Sequence, residues 1–247
     1  MQQYFITGPA KDRLVIEDKE TLKHMFQVMR LVEGQELVLV FDDGIKRLAK
    51  VLDHQQHLLQ VLEPIDDQVE LPVEVTIASG FLKGDKLDFV TQKATELGAM
   101  GIWAYPADWS VVKWDAKKLA KKEEKLEKIA LGAAQQSKRN RLPQVSLFAQ
   151  QKDFLAELAH FDRIWVAYEE SAKRGEQSRL ATELKACQAG EKILIIFGPE
   201  GGISPREVAL FEAAGATSLG LGPRILRTET APLYALSAIS YALEMSR

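Results

Sequence analysis

Lys192 is followed by five consecutive apolar residues, Ile193–Phe197, and the run stops at Gly198-Pro199-Glu200-Gly201-Gly202. Successive side chains of a strand point to opposite faces, so a run that is apolar at every position must be covered on both sides. That calls for a largely parallel sheet with helices on both faces. The residues after the run state how it ends. Glycine takes positive φ and leaves the backbone open to close approach, while proline pre-sets its own φ. Ser204-Pro205-Arg206-Glu207 then has the order of a helix start, with Ser204 as N-cap, Pro205 at the first helical position and Glu207 completing a capping box. Taken alone, this is an ordinary strand–turn–helix connection.

A second loop of the same kind follows. Thr217–Leu221 reads as a short strand, Gly220 and Gly222 flank Leu221, and Pro223 stiffens the turn. Arg224 and Arg227 lie beside it; they are solvated, paired with Glu229, or placed to hold a phosphate, since arginine offers a fixed fork of donors. Thr228-Glu229-Thr230 supplies cap-type side chains ahead of Pro232. The helix beyond puts Leu233, Leu236, Ile239 and Leu243 on one face. Two strands that each run into a Gly/Pro-rich loop make a pocket of backbone amides and carbonyls, suited to a nucleotide-like ligand. Two familiar ligands of such loops are excluded by spacing. In a G-x-G-x-x-G pattern begun at Gly220, Ile225 replaces the third glycine, and a Walker pattern begun at Gly198 meets Ile203 and Ser204 where Gly and Lys belong.

The remainder of the chain frames these loops. Residues 1–70 read as β-rich: Leu37–Phe41, Arg47–Leu52 and Leu58–Leu62 are strand-like, Asp43-Gly44 marks a turn, and Thr21–Met29 suits one short helix. Glu63–Pro72, with two prolines and four acids, is the linker candidate. From Val73 the pattern becomes α/β. Strands are expected at Val73–Ala78, Ile102–Tyr105, Arg163–Tyr168, Lys192–Phe197 and Thr217–Leu221, and helices at Asp85–Leu97, Asp115–Ser137 and Thr230–Met245.

Composition narrows the function classes. No apolar run among the 247 residues reaches the length of a membrane span, and the N-terminus lacks the layout of a signal peptide, so a cytoplasmic protein with no membrane partner is expected. A single cysteine, Cys187, cannot form an intrachain disulfide, and the four histidines are dispersed apart from His54 and His57, so no metal site is expected. The formal net charge of −3 does not favour nucleic acid, but binding depends on a local basic face rather than the sum. Lys138, Arg139 and Arg141 form such a cluster without acids nearby in sequence. Lys117, Lys121 and Lys125 form an i, i+4 row, but Glu123, Glu124 and Glu127 interrupt it, which fits a solvated helix face.

GPEGGIS and LGPRILRTETAP together resemble the RsmE-type members of the SPOUT methyltransferases. The resemblance continues through Lys83-Gly84-Asp85-Lys86, the QKATELG segment Gln92–Gly98, Ser110-Val111-Val112-Lys113, and Ala133–Ser137 with Arg139, Arg141 and Pro143. These matches occur in order from about residue 83 to 232, with a weaker one at His24–Arg30. Two positions depart from the pattern: Trp109 stands where many relatives have Arg, and Met1–Phe5 lacks the Arg common there.

The resemblance implies an α/β fold with a SPOUT-type parallel sheet and a C-terminal trefoil knot over residues 73–247, a small PUA-like, RNA-binding β-barrel over residues 1–70, and a homodimer. It implies methyl transfer from S-adenosylmethionine to N3 of a uridine in small-subunit ribosomal RNA. On this reading Ile196, Gly198, Pro199, Glu200, Gly201, Gly202, Leu219, Leu221, Gly222, Ile225, Leu226 and Thr230 hold the donor. Glu200, Arg227 and Glu229 are the candidates for handling the uridine proton and the anion it leaves. Arg13, Lys23, Arg30, Lys138, Arg139 and Arg141 are the candidate RNA contacts. The alternatives are a SPOUT enzyme acting on another RNA and a non-catalytic RNA-binding assembly factor, which would have no need of the two intact loops.

Overall fold

The computed structural model describes residues 1–168 and 179–246. The chain divides into two compact units, residues 1–70 with 134–141, and residues 71–133 with 142–247.

The first unit is built on a five-stranded sheet. Its elements are β1 (Gln3–Phe5), β2 (Arg13–Val15), α1 (Lys19–Leu22), β3 (Glu36–Val40), β4 (Lys46–Asp53) and β5 (Leu58–Ile65). The strand order is β1-β3-β4-β5-β2, with β1 parallel to β3 and the other pairs antiparallel. Tyr4, Ile16, Met25, Leu37, Leu39, Ala49, Val51 and Leu59 form its core. The expected helix at Thr21–Met29 begins earlier. Asp18 caps it by accepting from the Thr21 amide at 2.7 Å, and the chain passes into a π-helix over Lys23–Val28. The expected linker is also corrected, because β5 runs on to Ile65. Pro64 is tolerated there because it pairs with Arg47 beside a shift in register, where a missing N–H costs least.

Residues 134–141 cluster with this unit, and Glu70 explains how. Its carboxylate takes both the Arg139 Nε, at 2.9 and 2.8 Å, and the amides of Asn140 and Arg141 at 2.7 and 3.1 Å. Gln3 Nε2 donates to the Arg139 carbonyl at 2.7 Å, and Asn140 Nδ2 to the carbonyls of Gly44 and Asp67, both at 3.0 Å.

The second unit alternates strands and helices: β6 (Glu74–Gly80), α2 (Lys86–Glu96), β7 (Gly101–Tyr105), α3 (Ala116–Gln136), β8 (Gln144–Leu147), α4 (Gln151–Glu157), β9 (Arg163–Ala167), α5 (Arg179–Ala186), β10 (Lys192–Phe197), α6 (Pro205–Ala213), β11 (Thr217–Leu219) and α7 (Ala231–Ser240). Six strands in the order β11-β9-β10-β6-β7-β8 form one sheet in which every pair is parallel. β10 lies inside it, between β9 and β6. Its alternating residues enter two different cores, as a strand covered on both faces requires. Ile193, Ile195 and Phe197 pack with Leu87, Val90 and Ala94 of α2 and Leu236 and Ile239 of α7. Leu194 and Ile196 pack with Phe154 of α4 and Phe211 of α6. β11 stops at Leu219, two residues short of the expected Leu221, so Gly220 already belongs to the loop.

Candidate active site

A cavity of about 670 Å³ opens where the chain leaves the carboxyl ends of β9, β10 and β11. In open α/β sheets this edge is the usual place for ligands. Its lining comes from the two Gly/Pro-rich loops, Gly198–Pro205 and Leu221–Thr228, together with Phe197 at the end of β10, Ala167 at the end of β9 and Tyr168 after it, Ala231 of α7 and Trp109.

The first loop has its shape because of its glycines. A Cβ built on Gly198 would lie 2.6 Å from the carbonyl carbon of Gly202, so the loop closes on itself only without that side chain. Gly202 has a φ of +82°, and its amide donates to the Pro199 carbonyl at 2.9 Å. The predicted capping box is present at the start of α6. Ser204 Oγ accepts from the Glu207 amide at 3.1 Å, and Glu207 returns to the Ser204 amide at 3.0 Å. Glu207 is fully buried because it has further work. Its other oxygen accepts from the Asp108 amide at 3.0 Å and from Gln151 Nε2 at 2.8 Å. Asp108 in turn accepts from Ser204 Oγ at 2.6 Å and pairs with Arg206. The Arg206 hydrogen bond acts against a smaller effect of burial and holds the Asp108 carboxyl below its usual range. The loop after β10 and the segment after β7 are thereby tied together.

Among the predicted donor-binding residues, Gly198, Pro199, Gly201, Gly202, Leu221, Gly222, Ile225 and Leu226 line the cavity. Ile196 and Leu219 do not: both side chains are consumed in the cores beneath it. Glu200 and Thr230 stand outside the lining, and Thr230 is the N-cap of α7 without a side-chain cap bond. Three of the lining residues that sequence reasoning missed come from elements distant in sequence. Trp109 follows β7, Ala167 ends β9 and Tyr168 follows it, and nothing local marks them as neighbours of a loop after β10.

The three predicted catalytic residues are partly assembled, and the residue that assembles them is Lys86. Its Nζ lies 2.9 Å from Glu200 Oε1 and 3.7 Å from Glu229 Oε2. The Lys83 amide adds a bond to Glu200 at 3.1 Å, and Thr228 Oγ1 donates to Glu229 at 3.0 Å. Burial pushes the Glu200 carboxyl up, but the Lys86 ammonium and the backbone amides outweigh it and the group stays below its usual value. Glu229 is likewise raised by burial and lowered further by its backbone bonds, Thr228, Lys86 and Arg227. Both groups are therefore carboxylates at neutral pH. Arg227 is exposed; its carbonyl accepts from the Thr230 and Ala231 amides at 2.9 and 3.0 Å and so starts α7. Lys86 carried a signal in sequence, the Lys-Gly-Asp-Lys segment, without a role attached to it.

Five of the six predicted RNA contacts keep a surface position or a partly covered one. Arg13, Lys23, Arg30 and Arg141 are exposed, and Lys138 is half-buried with its Nζ donating to the Met1 carbonyl at 2.8 Å. Arg139 is corrected. It is 2% exposed, and its guanidinium is spent on Glu70, an acid that sequence distance had hidden. Among the described residues no group of His, Cys, Asp and Glu is arranged to hold a metal ion, and no helix is long and apolar enough to cross a membrane.

Comparison with known proteins places this site in a family. Residues 69–240 match the RNA methyltransferase domain, and residues 16–62 match the RNA methyltransferase PUA domain. Ribosomal RNA small subunit methyltransferase E of Bacillus subtilis is 42% identical over 256 aligned positions, covering 100% of this chain and 99% of the relative. A Legionella pneumophila protein solved in complex with the bound cofactor S-adenosylmethionine is 27% identical, with a TM-score of 0.81 and 97% of each chain covered. Ribosomal RNA small subunit methyltransferase E of Neisseria gonorrhoeae, solved with S-adenosylmethionine, shares the fold at a TM-score of 0.81, 24% identity and 97% coverage of each chain. The chain belongs to the ribosomal RNA small subunit methyltransferase E family of RNA methyltransferases.

Proposed function

We propose that this protein transfers a methyl group from S-adenosylmethionine to N3 of a uridine in small-subunit ribosomal RNA. The observation that carries the reading is the cavity between the two glycine loops, beside the Lys86–Glu200–Glu229 cluster. Its volume falls in the range of small-molecule sites, with mostly apolar walls and few polar anchors. A Cβ on Gly202 or Gly222 would meet no protein atom closer than 3.6 Å, so packing does not demand glycine there. Positive φ does, and the bare backbone it leaves suits the edge of an adenine held between Leu221, Ile225 and Leu226.

S-adenosylmethionine, when bound, supplies a methyl group activated on a sulfonium. What the chain must add is alignment and a deprotonated nucleophile. Uridine N3 carries a proton at neutral pH. Glu229 is the better acceptor of the two carboxylates, because Glu200 is engaged by Lys86 at 2.9 Å and Glu229 only at 3.7 Å. Arg227 stabilises the charge left on the base. Lys86 keeps both carboxylates ionised until Glu229 takes the N3 proton and becomes neutral.

Arg13, Lys23, Arg30, Lys138 and Arg141 contribute phosphate contacts, which makes affinity fall steeply with salt. The reading also carries a trefoil knot in the chain of the C-terminal loops, a barrel-like PUA domain over residues 1–70, a methyltransferase domain over residues 73–247, a homodimer and a cytoplasmic location. Its support is the all-parallel sheet and the family matches. Mass spectrometry of small-subunit ribosomal RNA after incubation with protein and donor tests the activity. One added methyl on a uridine base is expected; methylation of another RNA alone, or none with donor bound, overturns it.

A further inference from the structure

Trp109 is the exposed member of a set of four tryptophans. Trp165 and Trp103 are buried at 1% and 8% exposure, Trp114 is half-buried against Phe81, and Trp109 is 48% exposed. It is also the member that lines the cavity. An indole left half in water at the mouth of a pocket needs an explanation, and the surrounding geometry supplies one.

The root of the side chain is held firmly. A Cβ on Gly201 would fall 2.8 Å from Trp109 Cβ, so bare backbone at Gly201 is what admits it. The residue before it, Asp108, is fixed through Ser204, Arg206 and the Glu207 carboxylate. The residue after it, Ser110, donates its amide to the Ala107 carbonyl at 3.0 Å. Beyond Trp109 the chain alternates: Val111 and Lys113 are exposed, while Ser110, Val112 and Trp114 are covered. One edge of this segment therefore presents an aromatic ring, an aliphatic side chain and a cation in succession. Aromatic rings that stack bases, flanked by cations that follow the phosphates, are the usual means of holding single-stranded nucleic acid. A base whose Watson–Crick edge is to react must leave its stack, and a rigid ring at the pocket mouth replaces the stacking it loses.

We infer that Trp109 is the platform on which the target pyrimidine base stacks while its reacting edge faces the donor cavity, with Lys113 on the adjoining phosphate. The inference rests on the RNA-methylating function proposed above. It makes Trp109 a substrate-binding residue for the base and leaves the donor to the glycine loops.

Two measurements on the full chain test it. In the first, tryptophan emission is followed while a single-stranded uridine-containing oligoribonucleotide is titrated in, with S-adenosylhomocysteine saturating. Quenching is expected in the native protein and much reduced in Trp109→Phe, whose remaining tryptophans are buried or half-buried. Equal quenching in both, or quenching by S-adenosylhomocysteine alone with no further change on adding RNA, overturns the inference. In the second, Trp109→Ala is expected to raise KM for RNA by about tenfold to a hundredfold. Trp109→Phe should recover much of that loss, with KM measured at saturating donor because Trp109 also lines the donor cavity. An unchanged KM for RNA in Trp109→Ala at saturating donor overturns it. Failure of the native protein to methylate ribosomal RNA counts against the activity, and the emission titration still decides the stacking.

Discussion

Lys86 Nζ and Glu200 Oε1 are 2.9 Å apart, although 114 residues separate them in the chain. The pair joins the start of α2 to the loop after β10. Its hydrogen bond raises the lysine above its ordinary value, while Glu200, pushed up by burial, is brought below its own. The lysine's contribution is complete below its unfolded pKa of 10.5 and is lost as pH rises through the higher folded value; the carboxylate's is complete above 4.5 and is lost as pH falls. Between those limits the pair is intact. Both side chains are partly solvated, so Lys86→Met should cost under about 1 kcal/mol of stability. Its larger effect should be on the acid limb of the pH–rate profile, which moves to higher pH as Glu200 and Glu229 lose their cation. A pH profile of kcat checks this, and an unmoved acid limb removes Lys86 from the site.

The role proposed for Arg227 separates binding from chemistry. It is absent from the cavity lining, and its carbonyl rather than its side chain starts α7. Arg227→Ala should therefore leave the donor Kd within about twofold and lower kcat about a hundredfold or more, the usual loss when a group stabilising developing charge is removed. Calorimetry and turnover on the same preparation distinguish these effects. Unchanged turnover would show that the arginine plays no part.

Gly198 tests the donor loop. A methyl group there would lie 2.6 Å from the Gly202 carbonyl carbon, a contact that backbone cannot relieve without opening the loop. Gly198→Ala should abolish measurable donor binding while the cores on β10 keep the protein folded. Gly202→Ala meets no protein atom closer than 4.0 Å and should cost the fold only the left-handed φ, about 1–2 kcal/mol, so any loss of donor binding beyond that comes from contact with the ligand. A calorimetric comparison of the two variants ranks clash against strain.

Glu70 holds the first unit around Arg139. Removing one partner of a covered ion pair leaves a charge without compensation, so Glu70→Ala should destabilise by about 3 kcal/mol or more. Pairing it with Arg139→Met should recover part of the loss, which a double-mutant cycle in denaturant measures. Additive losses would show that the pair is not coupled.

Asp108 sets an acid limit on the site. Its folded pKa is depressed, first by Arg206, so its contribution is present above the ordinary aspartate value of 3.8 and lost as pH falls below it. Thermal unfolding should therefore lose part of its acid sensitivity in Asp108→Asn. An identical pH dependence in the two proteins would assign that sensitivity to other carboxylates.

The features legible in sequence are those whose cause is local. The run Ile193–Phe197 demanded cover on both faces, and it has it because alternation along a strand is a property of the backbone itself. Ser204, Pro205 and Glu207 form the predicted capping box because all its partners lie within one turn. The glycines at 198, 201, 202 and 222 line the cavity as expected, since positive φ and missing Cβ atoms are written into the residue type. β1 and β2 passed unnoticed because three residues carry too little periodicity.

Tertiary structure decided what depends on distance in space. Ile196 and Leu219 looked like pocket residues by their position next to the loops, but the side to which a strand residue points is set by the sheet, and both went into the core. Arg139 looked like a free cation until Glu70 closed on it from 69 residues away. Lys86, 114 residues from Glu200, and Trp109, whose Cβ packs on Gly201, entered the site in the same way. By itself the sequence determined two glycine loops at the ends of buried strands and so the kind of ligand they can cradle. Which charges and rings surround that ligand was decided only when a parallel sheet brought the ends of strands far apart in sequence to a common edge.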